Sequence, residues 1–329
     1  MLTGFLNVDK PAGITSHDVV VKLRKWTKIK RIGHTGTLDP DVTGVLPLAI
    51  GRSCRLISYL PQNKTYLAQI VLGQRTTTDD MSGTVIERRE IDPSIDQAAM
   101  EIALKQFIGN IVQVPPIYSA IHHKGQRLYD LARARSLQAD SLDTDSIDRL
   151  NIDLTNILSD VKQRVVRIDR IDLVNLQLPI LTLRIVCSAG TYIRSLARDL
   201  GEILGSGACL KCLRREKAGP FAIEQSYNLE TLERKITEGK LRESLIHPAK
   251  VLGLRTLGIE MPTAVLISRG QTVNLESNDS NLLLQERLLL ICKQEYEGEE
   301  QQMPIAVASI TEGKMLKPEI VLIDDQDLR

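Results

Sequence analysis

Apolar residues recur at two different spacings along this chain, and the changes between them outline its elements. Residues 5–8 form a short apolar run that predicts a strand, closed by the turn Asp9-Lys10-Pro11-Ala12-Gly13. After Ser16, a residue suited to cap a helix start, Val19, Val20, Leu23 and Trp26 return at helical spacing. Residues 45–50 read as a strand ended by Gly51, and 52–60 as helical. From residue 64 to 72 the spacing drops to two, so that Tyr66, Ala68, Ile70 and Leu72 share one face of a half-buried strand. Residues 73–83 are polar and predict a loop; 96–107 predict an amphipathic helix and 111–114 a strand. Strands are expected at 164–176, 181–187 and 210–214, and helices at 192–204, where Gly205 ends the pattern, and at 229–242. Beyond about residue 252 the pattern is one of short strands, 264–268, 288–292, 305–310 and 320–323, separated by turn residues.

Two stretches carry almost no core pattern. Residues 115–135 open on Pro115-Pro116 and continue with His122, His123, Lys124, Arg127, Arg133 and Arg135, a basic excursion. Residues 136–160 are acidic and polar, as in a surface insertion.

Composition narrows the class. A chain of 329 residues with 43% hydrophobic and 25% charged residues can build a sizeable core, as one large and one small domain or as two. Aromatic residues make up only 3%, which argues against a sheet of base-stacking rings. The net charge of +1 conceals alternating blocks: +7 over residues 1–75, −6 over 76–160, +6 over 161–220 and −6 over 221–329. Two basic blocks can fold into one positive face, the footprint of a polyanion site, or can be chance segregation. Five cysteines without a paired framework suggest a reducing compartment. The Cys209–Cys212 pair lacks a second pair or a nearby histidine for zinc. The start of the chain has no signal-peptide pattern and no 18-residue apolar run occurs, so a cytoplasmic protein without membrane attachment is expected.

The candidate chemistry concentrates in Gly33-His34-Thr35-Gly36-Thr37-Leu38-Asp39-Pro40. Two glycines allow a sharp turn and close approach to a ligand, and Pro40 stiffens Asp39. By itself this is either a turn or a rigid mount for one carboxylate. Arg194 falls in the first turn of the helix expected at 192–204, where the helix dipole opposes a cation by about 0.3–1 kcal/mol unless an anion lies beside it.

Six stretches, in this order, resemble the bacterial TruB-type tRNA pseudouridine synthases. They are Asn7–Ser16, the Gly33–Pro40 loop with Thr43-Gly44-Val45-Leu46-Pro47, Lys64-Thr65-Tyr66, Gly73-Gln74-Arg75-Thr76, Pro115–Ala120 with Gly125–Tyr129, and Cys187–Arg194. The resemblance spans most of residues 4–220. It implies an α+β pseudouridine-synthase fold with a mixed, mainly antiparallel sheet and a small C-terminal β-rich, PUA-like domain. A catalytic domain would occupy residues 1–250, with a thumb-like RNA-binding insertion at 115–135 and an acidic insertion at 136–160. The PUA-like domain would occupy 251–329.

The activity implied is isomerisation of uridine 55 in the T loop of tRNA, with the base flipped into a cleft and no cofactor or metal. Asp39 would be the essential carboxylate, Arg194 its partner, and Tyr66 the ring stacked on the uracil. His34 would brace the vacated stack, and Tyr192 and Leu213 would line the base pocket. Lys10 would serve a structural, phosphate-binding or catalytic role, and Arg127 would belong to the thumb. Family members often have Thr-Asp-Thr after Gly-Gln-Arg, whereas this chain has Thr76-Thr77-Thr78 followed by Asp79 and Asp80, of which Asp80 is the better match. A monomer with tRNA as partner and no protein partner is expected. The alternatives are a tRNA-folding chaperone without essential chemistry, an RNA-guided relative, and a metal hydrolase built on His34 and Asp39, for which no third ligand stands at suitable spacing.

Overall fold

The computed structural model describes residues 2–116, 122–123, 126–127, 163–275, 282–296 and 299–323, with elements in the following chain order. They are β1 (Gly4–Lys10), α1 (Ser16–Thr27), β2 (Ile32–His34), β3 (Thr43–Ile50), β4 (Lys64–Leu72), β5 (Gln74–Thr76), β6 (Val85–Arg88), α2 (Gln97–Lys105), β7 (Gly109–Gln113), β8 (His122–His123) and β9 (Gln126–Arg127). There follow β10 (Arg164–Gln177), β11 (Ile180–Cys187), α3 (Ile193–Ile203), β12 (Ala208–Ala218), β13 (Phe221–Ala222), α4 (Leu229–Thr237), β14 (Arg255–Gly258), α5 (Met261–Ser268), β15 (Val273–Asn274), β16 (Arg287–Tyr296), β17 (Glu299–Thr311) and β18 (Met315–Val321). The fold is α+β. Its chain divides into two units, residues 1–62 with 217–329, and residues 63–216.

In the first unit β1 pairs antiparallel with β3 along its whole length, from Gly4 opposite Ile50 to Lys10 opposite Gly44. The short β2 adds to the same strand, placing His34 opposite Leu48. A five-stranded sheet follows in the order β14-β16-β17-β18-β15, in which only β14 is parallel to its neighbour. This β-rich segment does not build its core alone. Leu289, Ile291, Val307 and Leu322 share a buried cluster with Phe5, Val45, Ala49 and Leu56. Alternate residues Leu288, Leu290, Ala306 and Ala308 turn the other way, onto Ala264 and Ile267 of α5. Arg52 and Arg55, on the 3-10 helix Gly51–Tyr59, also donate to the carbonyls of Leu322 and Val321. The sheet and the N-terminal strands therefore belong to one unit although more than 200 residues separate them.

In the second unit β4, β11, β10 and β7 follow one another antiparallel. The register sets Tyr66 opposite Ile185 and Ala68 opposite Leu183. Tyr66, Ala68, Ile70 and Leu72 are all buried, as the alternation predicts. Helix α3 packs on β4 through its apolar face, where Leu196, Ala197 and Leu200 are buried.

Four local expectations are corrected. The cap of α1 is Thr15, not Ser16: its side chain accepts from Asp18 N–H while the Asp18 carboxylate accepts from Thr15 N–H, a reciprocal capping box. Residues 264–268 lie in a helix rather than a strand: Pro262 in its first turn suits a helix start, and Ala264 and Ile267, three apart, are its buried residues while Leu266 is exposed. Residues 73–83 are not all loop, since β5 pairs with β6. The helix expected over 229–242 stops at Thr237, where Gly239 takes a left-handed φ of 75° before a separate 3-10 turn.

Candidate active site

The loop that carries Asp39 is fixed through its backbone. Ser16, the buried first residue of α1, accepts from Leu38 N–H at 2.8 Å and donates from Oγ to the Leu38 carbonyl at 3.1 Å. Lys10 ends β1 with its side chain fully buried (0% exposed), and its ammonium donates to the carbonyls of Pro11, Ile14 and Pro40 at 2.7–2.8 Å. Gly13 N–H also donates to the Pro40 carbonyl, and Val42 N–H to that of Asp39. Leu38 and Val42 are buried on either side, whereas Asp39 itself is exposed. The peptide is thus anchored at the residues before and after the carboxylate. The fully buried ammonium of Lys10 thus ties three carbonyls of the surrounding turns together. Gly33 lies in β2 rather than in the turn, and a glycine of the segment that does take a left-handed φ is Gly44, at 106°. His34 is half-buried at the end of β2.

The second unit holds Tyr66, Asp80, Tyr192, Arg194 and Leu213. Arg194 lies in the first turn of α3 with its side chain 9% exposed, and the anion its position calls for within this unit is Asp80, 3.5 Å from Nη1. The Thr78 carbonyl accepts from the same nitrogen at 3.4 Å. Asp80 is itself held, since its Oδ1 accepts from Thr78 Oγ1, Ser82 N–H and Ser82 Oγ. Its carbonyl accepts from Thr76 Oγ1 at 2.6 Å.

One turn along α3, Arg198 reaches Asp79 Oδ2 at 3.0 Å. Burial pushes the Asp79 carboxyl above its usual range, against the pull of Arg198 and Arg194. Leu210 of β12 exchanges backbone hydrogen bonds with this loop, donating to Asp79 and accepting from Met81. This secures the loop three residues before Leu213, which is half-buried. Tyr192 is the cap residue of α3, and the fully buried Gln113 holds its peptide from both sides: Oε1 accepts from Tyr192 N–H and Nε2 donates to its carbonyl.

Some candidates are silent. Burial pushes the Cys187 thiol up to about 11, which keeps it protonated and unreactive at neutral pH. Cys209 is buried and Cys212 exposed on β12, so they face different surroundings. Among the described residues no cluster of three or more metal-ligating side chains forms, and no helix is long and apolar enough to cross a membrane. Arg127 pairs through its backbone with His122 in the β8–β9 hairpin; the rest of the thumb-like segment beyond Pro116 and the acidic stretch 136–160 lie outside the described residues.

Residues 24–157 match the family model described as TruB family pseudouridylate synthase (N terminal domain), and residues 194–252 match that of the tRNA pseudouridylate synthase B C-terminal domain. The tRNA pseudouridine synthase B of Gloeobacter violaceus is 41% identical over 276 residues, covering 83% of this chain and 87% of that protein. This chain belongs to the TruB family of pseudouridylate synthases.

The enzyme of that name from Microcystis aeruginosa is 46% identical over 232 residues, 70% of this chain and 72% of its own. A chain in the crystal structure of a Cbf5-Nop10-Gar1 complex superposes with a TM-score of 0.66 at 22% identity, covering 99% of this chain and 86% of that one, which shows a shared fold. A TruB-family enzyme is an isomerase acting on tRNA, and the two pinned aspartate loops belong to a protein of that activity. Sequence reasoning missed Gln113 and Arg198. The signal for Arg198 was present, since arginines four apart on one helix face are matched by two consecutive aspartates.

Proposed function

We propose that this enzyme converts uridine 55 in the T loop of tRNA to pseudouridine, with Asp39 as the essential carboxylate. The observation that carries the assignment is the mounting of Asp39: an exposed carboxylate on a peptide fixed by Ser16 at Leu38 and by Lys10 at Pro40. Catalysis by a positioned group gains most when its backbone cannot drift.

The reaction breaks the N1–C1′ bond, turns the uracil and joins C5 to C1′. The C5 proton leaves to solvent and N1 gains one, so the atoms balance without oxidant, phosphate donor or cofactor. Asp39 would act on the sugar or base as that bond breaks. Tyr66 would stack on the uracil, Arg194 would supply positive charge, and Tyr192 and Leu213 would line the base pocket. A T-loop uridine must first leave its stack, at a cost of a few kcal/mol. His34 would brace the gap, and phosphate contacts from the basic segments, Arg127 included, would offset the cost. The enzyme would act as a monomer in the cytoplasm, where its five free cysteines stay reduced.

The test is to map pseudouridine in an unmodified tRNA transcript by carbodiimide-stop primer extension, in EDTA and without guide RNA. A single stop in the T loop, lost when that uridine is replaced by cytidine, supports the reading. A well-folded, tRNA-binding enzyme giving no stop, or a stop only when guide RNA is added, overturns it.

A further inference from the structure

The pair Arg198–Asp79 lies one helical turn from Arg194–Asp80 and touches nothing that reacts. Its surroundings give it a purpose. Asp79 takes a left-handed φ of 60°, a conformation that few non-glycine residues adopt. Its carboxylate is taken from water, with 17% side-chain exposure, and faces an Arg198 guanidinium that is equally enclosed. The same guanidinium makes two further contacts. Nη2 donates to the Val114 carbonyl at 3.1 Å, and Nε donates to Asp199 at 2.9 Å. Ser195 Oγ donates to that Val114 carbonyl as well, at 2.8 Å. Val114 follows β7 and precedes Pro115, where the basic segment begins.

By contrast, two contacts of Arg194 within this unit are long, 3.5 Å to Asp80 and 3.4 Å to the Thr78 carbonyl. Contacts of that length add little to the hold that Leu210, Thr76, Thr78 and Ser82 already have on this loop. The shorter bond is the one from Arg198 to Asp79, the residue next to Asp80.

We propose that Arg198 is a positioning residue: through Asp79 it sets the Thr78–Asp80 turn, and with it Arg194, while tying that turn to the chain entering the 115–135 segment. This rests on the reading of Arg194 as part of the catalytic machinery. A guanidinium suits the task because its fork reaches the carboxylate and the carbonyl at once, which an ammonium does not.

The experiment measures single-turnover pseudouridine formation, tRNA affinity and thermal unfolding for Arg198→Met, Arg198→Lys, Asp79→Asn and the Arg198→Met/Asp79→Asn double variant, with Arg194→Lys as control. At saturating enzyme and well below the unfolding temperature, Arg198→Met should slow the chemical step about 10-fold to 100-fold. Its tRNA dissociation constant should stay within about 3-fold, because Arg198 is itself enclosed and Ser195 Oγ still holds the Val114 carbonyl where the basic segment begins. Arg198→Lys should recover part of the loss, and the double variant should be no slower than the slower single variant, since both substitutions break one linkage. Should Arg198→Met not fold, Asp79→Asn, which keeps side-chain size, is expected to show the same loss of rate at unchanged affinity.

Wild-type rates in Arg198→Met and Asp79→Asn, or losses that multiply in the double variant, would overturn the proposal. So would a rate that falls only in proportion to the fraction unfolded. If Arg194→Lys is fully active, the reading of Arg194 fails instead; if Arg194→Lys is slow and Arg198→Met is not, the positioning role alone fails.

Discussion

Two aspartate-bearing loops, one in each unit, are both anchored at the backbone but differ at their carboxylates. The Leu38–Val42 loop is fixed through its peptide groups, by a serine hydroxyl and a buried lysine, and leaves the Asp39 carboxylate exposed. The Thr76–Gly83 loop is held at its backbone by Leu210 and Thr76 Oγ1 and, in addition, at its carboxylates, by two arginines on successive turns of α3 and by the hydroxyls of Thr78 and Ser82. A carboxylate already engaged by enclosed arginines and hydroxyls has little left for a substrate. Asp39, by contrast, stays exposed on a peptide anchored at its neighbours. Under the proposed function, Asp39 is the carboxylate that reacts, and Asp79 and Asp80 are carboxylates that build.

The comparison can be broken most severely at Lys10. Lys10→Met removes the ammonium from three carbonyls, of which that of Pro40 keeps the Gly13 N–H, and we expect a loss on the order of 3 kcal/mol in urea unfolding together with a large fall in pseudouridine formation. If activity is kept and only stability falls, the backbone mount is not what Asp39 depends on. Ser16→Ala is the milder form of the same test. It removes two bonds to Leu38, and should cost about 1–2 kcal/mol of stability and about 10-fold in rate.

The smallest effect serves as a control outside both loops. His247 accepts from Ala249 N–H through Nδ1, and burial holds its imidazole below the ordinary value of 6.5. A folded-state pKa below the unfolded one means that stability from this group is present above pH 6.5 and is lost as the pH falls toward the folded value. His247→Asn, which can still cap the turn, should flatten that part of the stability–pH curve and leave the rate at neutral pH unchanged.

Much of this was legible from residue spacing. The alternation over 64–72 named the buried face of β4 correctly, and the β1, β3 and α3 patterns needed only small shifts at their ends. What spacing could not show was which neighbour would satisfy each polar group. Ser16 and Thr15 both suit a helix cap; tertiary packing gave the cap to Thr15 and turned Ser16 inward to Leu38. Residues 264–268 are apolar throughout, so their period is uninformative, and Pro262 was the better guide. The dipole argument left open an anion beside Arg194 or an arginine turned outward to solvent; the side chain is enclosed and Asp80 lies 3.5 Å away, on a loop more than 110 residues earlier. Nor does any local pattern reveal that the C-terminal sheet buries one face on Phe5, Val45 and Ala49.

The central claim is that Asp39 is held to react while Asp79 and Asp80 are held to build. The most direct measurement sets wild type beside Asp39→Asn on one unmodified tRNA transcript, reading pseudouridine by carbodiimide-stop primer extension and tRNA affinity by filter binding. We expect at least about a thousandfold loss of pseudouridine formation with tRNA affinity and unfolding temperature nearly unchanged. An Asp39→Asn enzyme that still isomerises the T-loop uridine at a rate close to wild type would contradict the account.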